Sequence, residues 1–254
     1  MLIFPDLAKL VQRFLGAIDL PGREPNGDGV TDAIIMIGVW LEENNKFVGG
    51  PLDDEDFLQL LQTLSLLSAN NHSSSLRNAA HLLTTSILHA HPTDQVRLAF
   101  ITDTLEHCPF EALKGSAVSW LKEEIITAEE RKAENVFSTT VALSATQPYL
   151  FPDTSSLAEA SDAELMEELS ESYPFHIAIV NFISFLAGNK YSHVVPSSMF
   201  TVVEEVYLST LVSGVNKAVS VTSGHSGKNI EGQEAELSLL AFRIGAALDL
   251  LKDK

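Results

Sequence analysis

The most reactive residue type in the chain occurs once, at a predicted turn between two helices. Cys108 is followed by Pro109, so its thiol lies near the start of the next predicted helix, whose dipole lowers the pKa of a thiol. Glu106 acts against this shift, and no second cysteine is present to resolve an oxidised intermediate. A lone cysteine that follows an apolar stripe is more often a small buried hydrophobic residue. We therefore expect a structural role for Cys108 and keep a redox or interface role as the alternative.

Three histidines upstream of this turn have the residue type, but not the spacing, of a metal site. His81, His89 and His91, followed by Asp94, match no zinc motif, and neither a second cysteine nor a Glu-x-x-His motif accompanies them. Histidines near the end of a helix are favoured by the partial negative charge there. We therefore expect no metal and no cofactor at these residues.

The segment GHSGK at 224–228 contains catalytic residue types without a catalytic pattern. A nucleophile elbow requires glycine where the chain has Lys228, and no strand is predicted before Ser226. A phosphate loop requires glycine where the chain has Thr222. We interpret this segment as a flexible loop.

Charged side chains elsewhere also have structural explanations. Acidic clusters at 53–56, 123–130 and 162–171 could pair carboxylates for acid–base chemistry, but they fall at the ends and on the polar faces of predicted helices. Their electrostatic field could still guide a basic partner. We predict that four further residues form a ladder of contacts between neighbouring repeats of the chain and do not bind an anion: Arg77, Asp94, Arg97 and Asp103. No catalytic residue is predicted, and non-enzymatic function follows as the expectation.

The elements that position these residues are predicted to be helices. Between residues 53 and 130, apolar residues recur at helical spacing in four segments of about 14 to 17 residues, whose short turns indicate antiparallel neighbours. Gly115 falls inside the fourth, where it costs about 1 kcal/mol relative to alanine, so we expect a close helix–helix approach there. The predicted helix starts are Asp53 or Asp54, Ser75, Pro92 and Pro109. The predicted inward positions are Phe57, Leu60, Leu61, Leu64 and Leu67; Leu76, Ala80, Leu83, Ile87 and Ala90; Val96, Phe100, Ile101 and Leu105; and Phe110, Leu113, Ala117, Trp120, Leu121 and Ile125. If the fourth helix is rotated, Trp120 becomes an interface anchor instead of a core residue.

The rest of the chain also has helical periodicity, and no segment alternates convincingly as a strand does. We predict a capping box between Ser161 and Glu164, a helix end at Pro174, and a central position for the apolar segment 176–188. The other predicted helices cover 31–44, 199–215 and 235–251, and the predicted loops cover 21–29, 145–156 and 220–233.

The fold class is therefore all-α, and a weak internal sequence repeat favours a HEAT/armadillo-like helical repeat. SLRNAAHLL (75–83) and QVRLAFITD (95–103) place an arginine and apolar residues at corresponding positions, as stacked helical repeats do. An irregular helical bundle is the alternative. We expect a single domain over 1–254, with looser N-terminal helices at 1–45, a core repeat at 53–130 and C-terminal helices at 161–252.

Composition limits the partners and the compartment. With 34 acidic and 16 basic residues the formal charge is −18, which disfavours nucleic acid or an anionic membrane as the main partner. The single cysteine indicates a reducing compartment, and the N-terminus lacks the basic region of a signal peptide. We expect a cytoplasmic protein that is also present in the nucleus.

The segment from Asp53 to Ala128 resembles the fungal YAP-binding protein family, which is related to glomulin and to the plant aberrant-root-formation protein. The resemblance depends on Leu76-Arg77 with Ala79 and Ala80, His91-Pro92, Phe100-Ile101, Cys108-Pro109 and Trp120-Leu121-Lys122, which form a helix-packing signature. Members of the family are usually longer, so we expect this chain to correspond to a C-terminal part or a short form.

The resemblance implies a helical-repeat adaptor that binds another protein. In the fungal branch the partner is an AP-1-like bZIP transcription factor, whose peroxide-dependent oxidation the adaptor promotes in the oxidative-stress response. Alternatives within the family are a regulator that binds the RING subunit of cullin ubiquitin ligases, as glomulin does, and a kinetochore-associated protein. An all-α enzyme with an unrecognised site is the alternative from another class, but the predicted inward faces lack converging polar residues.

Overall fold

The computed structural model describes residues 1–15, 28–50, 52–222 and 228–252 of the chain. Over these residues the protein is all-α, as predicted, and the only extended pairing is a bridge between Phe4 and Val48. The helices are α1 (Asp6–Phe14), α2 (Asp28–Glu43), α3 (Asp54–Asn70), α4 (Ser74–Ala90), α5 (Asp94–His107), α6 (Glu111–Arg131), α7 (Val141–Leu150), α8 (Ser156–Glu159), α9 (Asp162–Leu186), α10 (Met199–Val202), α11 (Ser209–Thr222) and α12 (Lys228–Leu251). A π-helical segment, Val203–Leu208, joins α10 to α11, and 3-10 turns occur at Val136–Ser138 and Asn189–Val194.

The chain divides into two compact units, residues 1–100 and 101–254, and α5 crosses their boundary. The single domain over 1–254 stays a prediction, because compactness alone does not show whether the two units unfold together. The confirmed all-α class is compatible with both a helical repeat and an irregular bundle.

Unit 1 is built around the pair α3 and α4, which residues 71–73 join. Helix α1 packs on α3, and α2 packs on α4. Gly38 permits the approach of α2 to α4, because a Cβ atom there would lie 2.5 Å from Cδ2 of Leu83. The apolar stripe predicted for α3 is fully buried, whereas Ala90 of α4 is exposed and Leu88 is buried in its place.

Unit 2 is organised around α9, which packs against α6, α11 and α12. This confirms the central position predicted for the apolar segment 176–188. Gly115 of α6 lies at the contact with α9, since a Cβ atom there would lie 2.9 Å from the carbonyl oxygen of Pro174. The close approach predicted at Gly115 is therefore confirmed, and Trp120, which is 1% exposed, is a core residue.

Helix capping agrees with the sequence prediction at two helices and differs from it at two others. The side chain of Asp53 accepts hydrogen bonds from the backbone N–H groups of Glu55 and Asp56, as predicted for the start of α3. Ser161 and Glu164 form the predicted capping box of α9. Helix α4 is capped by Ser73 and not opened by Ser75, because the Ser73 hydroxyl accepts from the N–H of Leu76. Pro92 also precedes α5 instead of lying in its first turn.

The long loop predicted at 145–156 is wrong, because residues 145–150 belong to α7. Pro148 lies inside this helix and removes one N–H donor, but Leu143, Thr146 and Leu150 are completely buried. The hydroxyl of Thr146 also donates to the carbonyl of Ala142 at 2.9 Å. Burial of this face stabilises the helix and offsets the hydrogen bond that is lost at the proline.

The helix end predicted at Pro174 is wrong as well, because α9 continues through this proline from Asp162 to Leu186. An internal proline costs about 3 kcal/mol or more. Phe175, Ile179 and Val180 directly after it are buried, and their packing offsets that cost.

The exposed connector predicted at 220–233 is shorter than expected. Helix α11 continues to Thr222, which is buried, and α12 begins at Lys228. The part of the GHSGK segment at 224–227 lies outside the described residues. None of the described helices combines the length and the hydropathy that crossing a membrane requires.

Candidate functional site

The first predicted ladder residue, Arg77, binds the backbone at the end of the preceding helix. Its guanidinium Nη1 donates to the carbonyl oxygens of Asn71, at 2.8 Å, and of His72, at 3.3 Å. The side-chain oxygen of Asn71 accepts the N–H of Ser73 at 2.9 Å. Asn71 thereby connects the end of α3 to the start of α4.

Arg97 makes the corresponding bond one helix later. Its Nη1 donates to the carbonyl oxygen of His91, six residues earlier, and Nδ1 of His91 accepts the N–H of Thr93 at 3.1 Å. Asn71 and His91 also share one backbone conformation, with φ −66° and ψ 139° in Asn71 and φ −69° and ψ 131° in His91. The weak internal sequence repeat therefore corresponds to a repeated turn geometry.

The imidazole of His91 is a buried structural group. Its ring centroid lies 4.2 Å from that of Phe57, and its Nε2 lies 3.5 Å from Oδ1 of Asp54. Nδ1 faces the backbone of Thr93 and Nε2 faces the Asp54 carboxylate, so the ring lies between the two. This arrangement fixes the turn between α4 and α5 against the start of α3.

The remaining candidates for metal binding and for the ladder lie apart. His81 and His89 lie along α4, while Asp103 pairs with Nδ1 of His107 at 3.1 Å on the exposed face of α5. Among the described residues no group of three or more His, Cys, Asp or Glu side chains has the geometry of a metal site. The ladder that joins Arg77 and Arg97 to Asp94 or Asp103 stays a prediction.

Cys108 is half-buried at the end of α5, where its Sγ lies 3.8 Å from the carbonyl oxygen of Phe110. Burial raises the pKa of the Cys108 thiol, and this effect is larger than the opposing effects of the Phe110 carbonyl contact and of Lys114. The thiol is therefore predominantly protonated at neutral pH, which disfavours nucleophilic or redox reactivity.

The acidic clusters occupy helix ends and surfaces in the structure. Residues 53–56 lie at the start of α3, and Asp162 and Glu164 lie in the first turn of α9, where carboxylates stabilise the positive end of the helix dipole. The other carboxylates of the cluster 162–171 are exposed further along α9. In the cluster 123–130, Glu129 pairs with Lys132 and lies 3.7 Å from Nε2 of His193. These contacts are structural and bring no pair of carboxylates to a common cleft.

One polar pair in the core was missed from the sequence. Nδ1 of His176 in α9 lies 2.7 Å from the hydroxyl of Tyr207, and both side chains are buried. Burial lowers the pKa of His176 to about 4 and raises that of Tyr207 well above its usual range. The pair is neutral at physiological pH. It joins positions 31 residues apart, so no local spacing could have indicated it.

Two depressions among the described residues do not have the lining of a catalytic cleft. One of about 380 Å³ lies between α1 and α3, and one of about 200 Å³ lies between α9 and α12. The first is lined by Asp56 and Lys9 and the second by Glu236, each among amide, hydroxyl and apolar groups. Neither brings a general base and a nucleophile together.

Two helices instead expose apolar faces that suit protein binding. On the outer face of α2, opposite the buried Gly38, Met36 and Trp40 are 61% and 57% exposed. They are four residues apart, so they lie on the same face of the helix. The all-round apolar segment 34–41 was the sequence signal for this face, since α2 can bury only one side against its neighbours.

Helix α12 exposes a longer apolar face. Leu239, Phe242 and Leu250 are 48%, 69% and 48% exposed, and Phe242 is the most exposed large apolar side chain among the described residues. Exposed apolar patches of this kind mark surfaces that bind partners. The sequence predicted a helix at 235–251 but did not indicate that it has a second apolar face.

Comparison with protein families agrees with the resemblance seen in the sequence. A family model described as "Uncharacterised protein family, YAP/Alf4/glomulin" matches residues 1–253. The match therefore extends well beyond residues 53–128, where the resemblance is strongest. No curated protein and no solved structure matches the chain.

Proposed function

Because the chain belongs to the YAP/Alf4/glomulin family, we propose that it is a non-enzymatic adaptor that binds other proteins. The single observation that supports this most strongly is the family match over residues 1–253. The exposed apolar faces of α2 and α12 agree with it, since an adaptor needs surfaces whose burial stabilises a complex.

The finer proposal is that the chain assists peroxide-dependent activation of an AP-1-like bZIP transcription factor in a fungal oxidative-stress response, in the cytoplasm and the nucleus. The resemblance of residues 53–128 to the fungal YAP-binding proteins supports this assignment. The adaptor would act by holding its partner and not by thiol exchange, because burial raises the pKa of Cys108.

Affinity purification of the full chain, followed by mass spectrometry with and without peroxide, tests this function. Recovery of a bZIP factor supports the oxidative-stress assignment. Recovery of a RING–cullin complex, or of kinetochore proteins, replaces that assignment with another branch of the family. If no protein is enriched over a bait-free control, the adaptor function itself is contradicted.

A further inference from the structure

Helix α12 has two apolar stripes, and the other residues that the structure describes cover only one of them. The first stripe is buried against α9 and α11 and consists of Leu237, Leu240, Ile244, Ala247 and Leu251. The second, which we call the outer stripe, consists of Ala235, Leu239, Phe242, Ala246 and Leu250. In the outer stripe Ala235 and the three large side chains are exposed, and Ala246 is partly exposed.

The spacing of the outer stripe is that of a helix-packing surface. Its positions follow one another at intervals of three and four residues, so they line one side of α12. At a rise of 1.5 Å per residue the stripe is about 22 Å long, which accommodates roughly four turns of a partner helix. No charged residue interrupts it.

The charges beside the outer stripe favour a basic occupant. Arg243 is partly exposed, and its Nε donates to Oδ1 of Asn181 at 2.8 Å. Lys252 pairs with Asp249 at 2.7 Å. Glu236 is exposed on the same helix, and Glu204 contributes further negative charge near Lys252. A second copy of the chain, with a formal charge of −18, would be repelled.

From this pattern we propose that the outer stripe of α12 is the docking site for a basic amphipathic helix of a partner protein. The proposal rests on the adaptor function and assigns it a surface. The apolar face of the partner helix packs on Leu239, Phe242 and Leu250. Its flanking Lys or Arg residues face the carboxylates of Glu236 and Glu204. The exposed face of α2 is the weaker candidate, because its two most exposed large side chains, Met36 and Trp40, cover a single turn and Val30 is only 37% exposed.

Titration of the full chain with labelled helical peptides tests the site. One peptide of about 18 residues combines a leucine stripe with Lys and Arg flanks, and the other has the same stripe with Glu flanks. We expect the basic peptide to bind about tenfold more tightly, or better, and to lose affinity as salt is added. Equal binding of both peptides contradicts the proposal.

Variants locate the binding on α12. Replacing Leu239→Ser and Phe242→Ser together is expected to weaken the basic peptide by about tenfold or more, because central aromatic anchors dominate such contacts. The control, Leu82→Ser with Val141→Ser, replaces exposed apolar side chains outside α2 and α12 and leaves the affinity unchanged. An equal loss in the control, or no loss in the α12 variant, overturns the site. If circular dichroism shows that the double variant is not folded, Phe242→Gln alone carries the same expectation.

Two further outcomes separate this site from the adaptor function. Sedimentation velocity is expected to show a monomer, and self-association that the Phe242→Gln variant abolishes would assign the stripe to a second copy. If wild type and the α12 variant capture the same cellular partner equally, the site is wrong while the adaptor function stands. If wild type captures nothing, the adaptor function fails, and the peptide titration still decides whether α12 binds a basic helix.

Discussion

Arg97 donates a hydrogen bond to the carbonyl oxygen of His91, six residues earlier in the chain. Arg77 makes the same bond to Asn71, also six residues earlier, so one turn geometry is used at the start of α4 and again at the start of α5. Each arginine satisfies a carbonyl group that lies beyond the end of the preceding helix, where no intrahelical donor is available. The repeated arginines therefore organise turns between helices.

Removing these arginines should destabilise the protein unequally. Arg97 is buried and Arg77 is only partly buried, so Arg97→Ala should cost about 1.5–3 kcal/mol and Arg77→Ala about 1 kcal/mol in the free energy of unfolding. Urea denaturation measures both values. The exposed Arg131→Ala is the control, with an expected change within about 0.5 kcal/mol. Equal costs for all three variants would show that the turns do not depend on these bonds.

Two glycines in helices should respond in opposite directions to the same substitution. A Cβ atom at Gly115 would lie 2.9 Å from the carbonyl oxygen of Pro174, whereas nothing lies within 4 Å of a Cβ atom at Gly245. Gly115→Ala should destabilise by about 1–3 kcal/mol through overpacking, and Gly245→Ala should stabilise by about 0.5–1 kcal/mol through helix propensity. Thermal or urea unfolding measures the difference. Stabilisation by Gly115→Ala would contradict the close contact between α6 and α9.

The sequence contained most of what is needed to find helices α2 to α6. Apolar periodicity identified the buried faces of α3, α5 and α6, and the cost of Gly115 within a helix pointed to a close contact. Proline was the misleading signal, because Pro148 and Pro174 lie inside helices whose burial outweighs the lost hydrogen bond. The exposed face of α12 was not predictable, since periodicity shows that a face is apolar but not whether another helix covers it. The exposed face of α2 did have a sequence signal, the all-round apolar segment 34–41.

The protein should become less stable as the pH is lowered, because of His176. Its pKa is lowered to about 4 in the folded protein, so as the pH falls below about 6.5 the unfolded chain takes up a proton that the folded protein does not. The contribution of neutral His176 to the free energy of unfolding is fully present above about pH 6.5 and is lost as the pH falls towards about 4. Between about pH 7.5 and about pH 5 the free energy of unfolding should fall by roughly 2 kcal/mol for this reason.

Urea denaturation of wild type and His176→Asn at these two pH values isolates this contribution. The variant should be less stable than wild type at the higher pH, because Tyr207 loses its partner. Its stability should nevertheless change less than that of wild type as the pH falls. Parallel pH profiles for the two proteins would mean that His176 does not titrate as a buried, neutral imidazole.

Cys108 should react slowly with thiol reagents. Because burial raises the pKa of its thiol, alkylation by iodoacetamide at neutral pH should be slower than that of free cysteine and should accelerate only as the solution becomes alkaline. Cys108→Ser should leave a cellular peroxide response unchanged. A thiolate that is already formed at neutral pH, or a lost response in the serine variant, would restore the redox role for this residue.

The central claim, that the chain is an adaptor that binds another protein, is tested most directly by reconstituting a complex from purified components. Sedimentation velocity of the full chain with the protein recovered by affinity purification measures whether the two form a discrete species. The account predicts a stable complex that migrates faster than either component and that persists when Cys108 is replaced by Ser. Independent migration of the two proteins at all concentrations tested would contradict it.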